Sequence, residues 1–291
     1  DLQAAHAAAP WLVVWDDHET ENNWADEVPE QPDPGFLDRR AAAFQAYYEN
    51  MPLRSTARPR GIDMRLYRRF AWGELATFHM LDTRQYRDDQ ACGDGTRVNC
   101  VERLDPNRTI TGVEQERWLL DGFHRSRARW DVLGQQVFFA QRDTDGSTST
   151  CDVSTDAWDG YRASRQRITQ GWVDRQVRNP VVLTGDVHRH WANNLRLNYF
   201  NHTSPIVGTE LVTTSISSGG NGSGSTTIPD VATNPHLKFY SDRRGYVRTT
   251  ISPTQIRADF RTVASVTEHG APASTLKSFV IQEGLPGLQA A

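Results

Sequence analysis

Two short stretches of this chain gather side chains able to hold cations. Asp16-Asp17-His18-Glu19 follows the apolar run Trp11 to Trp15 (WLVVW), with Asn22 and Asn23 close behind. Asp186-Val187-His188 follows Pro180 to Thr184 (PVVLT), with His190 two residues further on. Carboxylate and carboxamide oxygens suit hard cations, and neutral imidazole suits iron, zinc or manganese. Three acids and a histidine in four residues repel one another unless a cation sits among them. A lone Asp after a strand is usually a turn residue or a helix cap. The stronger signal is two such clusters, each at the end of an apolar run. Side by side at the carboxyl ends of neighbouring strands, the two loops would frame a dinuclear pocket.

The elements that must position these loops can be read from pattern. WLVVW and PVVLT read as buried strands. Leu37 to Met51 has helical composition, and Leu66 to Asp82 reads as a hairpin around Gly73. Thr111-Gly-Val-Glu114 has the form of a capping box opening a helix, with Val113, Trp118, Leu119 and Phe123 turned inward. Trp130 to Val137 and Glu210 to Ser217 read as strands. Tyr161 to Val177 reads as a helix with Ile168, Trp172 and Val173 inward. Gly245 to Ala264 alternates as a terminal hairpin, and the tail from Gly270 is weak. Asp88 to Arg108 and Gln141 to Gly160 are polar loops. Ser218 to Ser225 (SGGNGSGS) reads as a flexible loop near the pocket, without the lysine of a phosphate cradle. The β-α-β rhythm predicts an α/β layered sheet with antiparallel additions.

Composition narrows the function. The chain has 291 residues, enough for a substantial core, with 37% hydrophobic and 23% charged residues. Its 11 Phe, nine Trp and eight Tyr argue against disorder. A formal net charge of −4 and no long basic patch argue against nucleic acid as a stable partner. No run of 18 apolar residues is present, so no transmembrane segment is expected. Cys92 and Cys100 bracket a turn-rich loop, where a disulfide is plausible in an oxidising compartment, and Cys151 is left over. No Gly-x-Ser-x-Gly elbow is present, which weakens a serine-hydrolase reading.

The string VVWDDHETENNWADEVP resembles the first signature of the PhoD-like alkaline phosphatases, within the calcineurin-like metallophosphoesterase class. LDTRQYR, EQERWLLDGFHRSRARWDVLGQQV, VVLTGDVHRHWANNL and NPHLKFYSDRRGYVRTTISP resemble the blocks that follow, in order. The resemblance implies a layered α-β-β-α sandwich and a metal-dependent phosphomonoesterase or phosphodiesterase, usually exported. It implies ferric iron with calcium in a dinuclear or trinuclear site, with manganese or zinc as alternatives. Carried onto this sequence, it makes Asp16, Asp17, Asn23, Asp186 and His188 metal ligands, with His18 and Arg84 in catalytic roles; Arg84 near the site either meets phosphate or forms a structural ion pair. His190 falls behind the ligands. The mechanism implied is in-line attack by a hydroxide bridging two cations. Alternatives are a non-catalytic module of the same fold that binds metal or polyanion, and a related metallonuclease.

The resemblance also implies that this chain starts after an early cysteine ligand and a Gly-Asp block of the family. On that reading residues 1–267 are an N-terminally truncated catalytic domain lacking its first strands, and residues 268–291 a tail. The isolated chain is then expected to be inactive, weak in metal binding and prone to aggregate.

Overall fold

The structure, a computed structural model, describes residues 2–147 and 149–291. Seven strands build the main sheet: β1 (Arg68–Trp72), β2 (Ala76–Met80), β4 (Trp130–Gly134), β6 (Pro180–Thr184), β7 (His190–Arg196), β8 (Ile206–Val212) and β9 (Leu237–Ser241). Their order is β1-β2-β4-β6-β8-β7-β9. Neighbours β2, β4, β6 and β8 run parallel, so their carboxyl ends open on one edge. These central strands are short and apolar because both faces are covered. A small ribbon pairs β3 (Thr96–Val98) with β5 (Asp152–Ser154). The second sheet is an antiparallel meander of β10 (Gly245–Ile251), β11 (Gln255–Val263), β12 (Ala273–Gln282) and β13 (Leu285–Ala290).

Helices α1 (Leu2–Ala8), α2 (Phe36–Asn50), α3 (Gly112–Arg125) and α4 (Arg162–Asp174) complete the fold. Leu119 and Phe123 of α3 and Ile168 and Trp172 of α4 pack on one face of the main sheet. On the other face Trp130, Val132, Val181 and Leu211 meet Ile256, Phe260, Phe279 and Ile281 of the second sheet. The Trp130 indole also donates to Ser252 O at 2.7 Å, tying the two sheets together.

The structure departs from the sequence-based expectation at several points. The sandwich has three layers among the described residues, not four. The far face of the second sheet carries a polar ladder of Arg248, Asp259, Arg257 and Ser278 where an outer helix would need an apolar stripe. The expected tail supplies β12 and β13, and Phe279 and Ile281 bury against the main sheet. Trp11 to Trp15 forms no strand. Its Val13 carbonyl accepts from the Arg68 side chain at 2.6 Å instead of from a backbone ladder. An apolar run records burial, not pairing. Trp15 is indeed buried, stacked on Phe44 of α2 at 4.3 Å between ring centres, while Trp11 and Leu12 are exposed. The capping box does not form: Thr111 caps nothing, and Gln115 donates to Thr111 O and Asp82 O. Val113 and Val173, expected inside, are exposed. β7 carries no apolar signal in the sequence, because Asn193 and Asn194 interrupt it.

Burial leaves one feature with a measurable consequence. His236 is buried, and its Nε2 lies 2.6 Å from Gln141 O, so the neutral ring donates there. Burial pushes its pKa down to about 4. An unfolded histidine takes up its proton near pH 6.5, so the stability from the neutral ring is full above that pH and lost as pH falls towards 4. The full loss is about 3 kcal/mol. His236→Gln keeps a donor for Gln141 O and should show a shallower fall in urea-unfolding free energy between pH 7 and 4.5. An identical fall in both proteins would show that His236 is not the group responsible.

Candidate metal centre

Three parallel strands deliver loops to one edge of the main sheet. Leu81 to Arg87 follows β2, Gln135 to Ala140 follows β4, and Gly185 to His188 follows β6. Polar side chains pin these loops together. Gln136 accepts from Thr83 N and Oγ1 and donates to Leu81 O at 2.8 Å. Gln135 donates to Thr184 Oγ1 and accepts from the Trp158 indole at 2.9 Å. The buried Glu210 carboxylate accepts from Phe139 N, Ala140 N, Thr184 Oγ1 and Asn193 Nδ2 at 2.7–3.0 Å. Rigid strand ends thus carry a rigid rim.

At this rim sits Arg84, wholly buried. Its Nε donates to Asp16 Oδ1 at 2.7 Å, and its two terminal nitrogens donate to the two oxygens of Asp156 at 2.7 and 2.9 Å. Arg87 adds a bond to Asp156 Oδ1 at 3.0 Å and one to Asp156 O at 2.6 Å. Burial works against a charged Asp156, but Arg84 and Arg87 outweigh it and hold this carboxyl well below the usual range. The same partners keep Arg84 firmly protonated despite its burial. Arg84 therefore does not reach out as a phosphate clamp; it forms the structural ion pair. It orients Asp16.

The other expected ligands fall around this pair. Burial raises the Asp16 pKa to about 6; Arg84 opposes that rise, while Asp17 and Asp156 add to it. Burial, then the charges of Asp16 and Asp156, lift Asp186 well above its ordinary value. Asp186 thus feels the charge of Asp16, 170 positions away in sequence. Asp16 Oδ2 and both Asp186 oxygens accept no hydrogen bond among the described residues, whereas Asp17 is occupied by its own loop, accepting from His18 N at 2.8 Å and Asn23 N at 3.1 Å. His188 is exposed on the same loop as Asp186. His18 is 75% exposed, and its nearest carboxylate contact is 3.9 Å, to Asp17. The structure does not bring it into the cluster. His190 lies behind, its Nε2 3.2 Å from Arg261 O.

Asn23, Asp186 and His188 are among nine described non-glycine residues with positive φ, at 47°, 66° and 50°, a region that Asn, Asp and His adopt more readily than other side chains. Such conformations concentrate at functional sites. The glycine-rich loop is not loose. Arg244 donates to Gly219 O, Gly220 O and His188 O, joining it to the second ligand loop. Gly222, at φ +74°, lies so close to Asp242 O that a Cβ would stand 2.2 Å away.

The donor set of aspartate oxygens, one carboxamide and one imidazole fits hard or borderline cations. Unpaired, half-buried carboxylates massed against one another are the observation that calls for a cation. Among the described residues, the one trio of potential ligands drawn within 4.8 Å is Cys92, Cys100 and Glu102, and those sulfurs are joined in a disulfide. The aspartates are spaced more widely than one closed coordination shell. Pattern reading missed Asp156, Gln90 and Asp94, which lie in polar loops with no spacing signal. Arg87 stood inside LDTRQYR without being singled out.

The ion-pair frame is testable. Arg84→Met strands two shielded carboxylates and should cost about 3–5 kcal/mol in urea unfolding. Arg84→Lys should recover little, because an ammonium cannot bridge Asp16 and Asp156 in a planar fork. A loss under about 1 kcal/mol for Arg84→Met would show that the pair does not frame the site.

Comparison with known proteins agrees with this geometry. A family model described as PhoD-like phosphatase matches residues 1–260. Alkaline phosphatase D of Bacillus subtilis (strain 168) is 50% identical over 293 residues, covering 99% of this chain and 50% of that protein. A solved structure titled "Structure of PhoD" superposes with a TM-score of 0.95 at 50% identity, covering 99% of this chain and 56% of that one. The chain thus spans about half the length of the relatives it matches.

Proposed function

The chain belongs to the PhoD-like phosphatase family, and on that premise we propose that it carries part of a metal-dependent phosphoric ester hydrolase centre. The observation that supports this most is the convergence of Asp16, Asp186 and Asn23 around a buried Arg84–Asp156 pair, with acceptor oxygens left unpaired. Asp16, Asn23, Asp186 and His188 would hold the cations, and iron with calcium suits their oxygen-rich donor set. When bound, such cations supply polarisation of the phosphoryl group and a water acidic enough to attack it at neutral pH.

The chain's own residues have distinct tasks. Arg84 turns one Asp16 oxygen inward on itself and leaves the other free. Asp17 holds the first loop by accepting its backbone N–H groups, which keeps Asn23 in its strained conformation. Arg244 fixes the His188 carbonyl at 2.6 Å and so sets the second loop. Arg84 is committed to carboxylates, so charge on a transferring phosphoryl group would be met by the cations or by another basic side chain such as Arg142, which feels the charge of Asp186. The substrate class is phosphate mono- or diesters. The Cys92–Cys100 disulfide supports an extracytoplasmic location, since such bonds persist in oxidising compartments. No helix among the described residues is long and apolar enough to cross a membrane.

The test is turnover by the full-length parent of this chain after chelation and metal add-back, using a chromogenic phosphomonoester, a chromogenic phosphodiester and single-stranded DNA. Hydrolysis of either small ester should return with added cation and fall at least about 100-fold in Asp186→Ala, with the fold retained. Turnover that persists in chelator, or survives Asp186→Ala unchanged, would remove this site from the chemistry. DNA cleavage alone would favour the nuclease reading. Metal binding with no turnover would favour the non-catalytic one.

A further inference from the structure

Asn23 is held from every side except one. Its backbone N–H donates to Asp17 Oδ2 at 3.1 Å. Its carbonyl accepts from Gln90 Nε2 at 2.6 Å. Its side-chain Nδ2 donates to Asp94 Oδ2 at 2.7 Å, across 71 positions of sequence. Asn23 Oδ1 accepts no hydrogen bond among the described residues. With the nitrogen committed to a carboxylate, the oxygen is the side-chain atom left free, and Gln90 ties the Asn23 backbone to Asp156 of the acid cluster.

Asp94 is itself fixed. Its other oxygen accepts from Gly95 N at 2.6 Å. It stands in the loop closed by the Cys92–Cys100 disulfide. That loop is clamped to the chain segment leading into Asp156. Thr155 Oγ1 donates to Gly93 O and Gly95 O at 2.9 and 3.0 Å, and β3 pairs with β5. Gln90, just before the loop, spans Asn23 O and Asp156 Oδ1, the latter at 3.0 Å. The loop is therefore braced on both sides of the site.

We propose that Asp94 is a positioning residue for Asn23: its carboxylate captures the Asn23 Nδ2, fixes which end of the carboxamide faces the centre, and increases the negative charge on Oδ1. This rests on the reading of Asn23 as a cation ligand. The logic is that of a ligating histidine held by a carboxylate on its far nitrogen, where the outer partner sets orientation and basicity. It also explains how Asn23 tolerates its φ of 47°, since a strained residue persists only where its surroundings over-determine it.

The experiment is calorimetric titration of the full 291-residue chain with Mn2+ alone, with thermal melts as a folding control. The proteins compared are the parent, Asn23→Ala, Asp94→Ala, Asp94→Asn and the Asn23→Ala/Asp94→Ala double variant. Asp94→Ala should weaken Mn2+ binding about 10-fold. Asp94→Asn, which keeps one acceptor oxygen, should weaken it less, and it carries the comparison if Asp94→Ala does not fold. The double variant should bind no more weakly than Asn23→Ala alone, because Asp94 acts only through Asn23. Unchanged affinity in Asp94→Ala beside a weakened Asn23→Ala overturns the positioning role and leaves the metal reading standing. Additive losses in the double variant overturn it too, because Asp94 would then act independently. Unchanged affinity in Asn23→Ala, or no Mn2+ binding by the parent, overturns the metal reading and the positioning role with it.

Discussion

The structure turns on one buried cation and the acids gathered round it. Arg84 is removed from water, and a buried guanidinium persists only if its donors meet anions in good geometry. Asp156 and Asp16 satisfy that need. In doing so they draw together the loops after β2 and the segment around residue 16, and Asp186 from the loop after β6 joins them. Four carboxyls, those of Asp16, Asp17, Asp156 and Asp186, then face two guanidiniums, Arg84 and Arg87. Asp156 is neutralised by two arginines, and Asp16 is only half satisfied. Asp186 has no positive hydrogen-bond partner among the described residues. The excess negative charge is therefore a consequence of how Arg84 is buried.

The sheet makes that arrangement precise. Parallel strands put their carboxyl ends on one edge, and short buried strands leave little room for the loops to drift. Glu210, Gln135 and Gln136 tie those loops by their side chains. The second sheet and helices α3 and α4 cover the two faces, so burial stabilises the frame while the chemistry stays at its rim. Strain at Asn23, Asp186 and His188 is held by this frame.

Some of this was legible in the sequence, for identifiable reasons. PVVLT is a continuous apolar run because β6 is covered on both faces, and its pattern reads correctly as a strand ending at Thr184, two residues before Asp186. WLVVW looks the same, yet its burial comes from α2 packing on Trp15, so composition could not separate a strand from an extended loop. The two acid clusters were visible because several metal-capable residues sit within four positions. Asp156 and Asp94 were not, because their importance comes from partners 72 and 71 positions away. The sequence leaves the choice between a phosphate contact and an ion pair at Arg84 open for a related reason. A conspicuous arginine beside acids can serve a substrate or a neighbouring carboxylate, and only its complete burial decides between them. The closing strands β12 and β13 were read as a tail because Gly284 and Gly287 and the exposed first half of β12 dilute their alternation.

The most direct test of the central claim is anomalous diffraction from crystals of this chain grown with Mn2+. The account predicts an anomalous peak in the acid cluster, within about 2.5 Å of an oxygen of Asp16 and an oxygen of Asp186, with Arg84 still bonded to Asp16 and Asp156. Ordered Mn2+ found only elsewhere on the molecule, with the Asp16 and Asp186 carboxyls free of it, would contradict the claim that the buried arginine assembles a cation site.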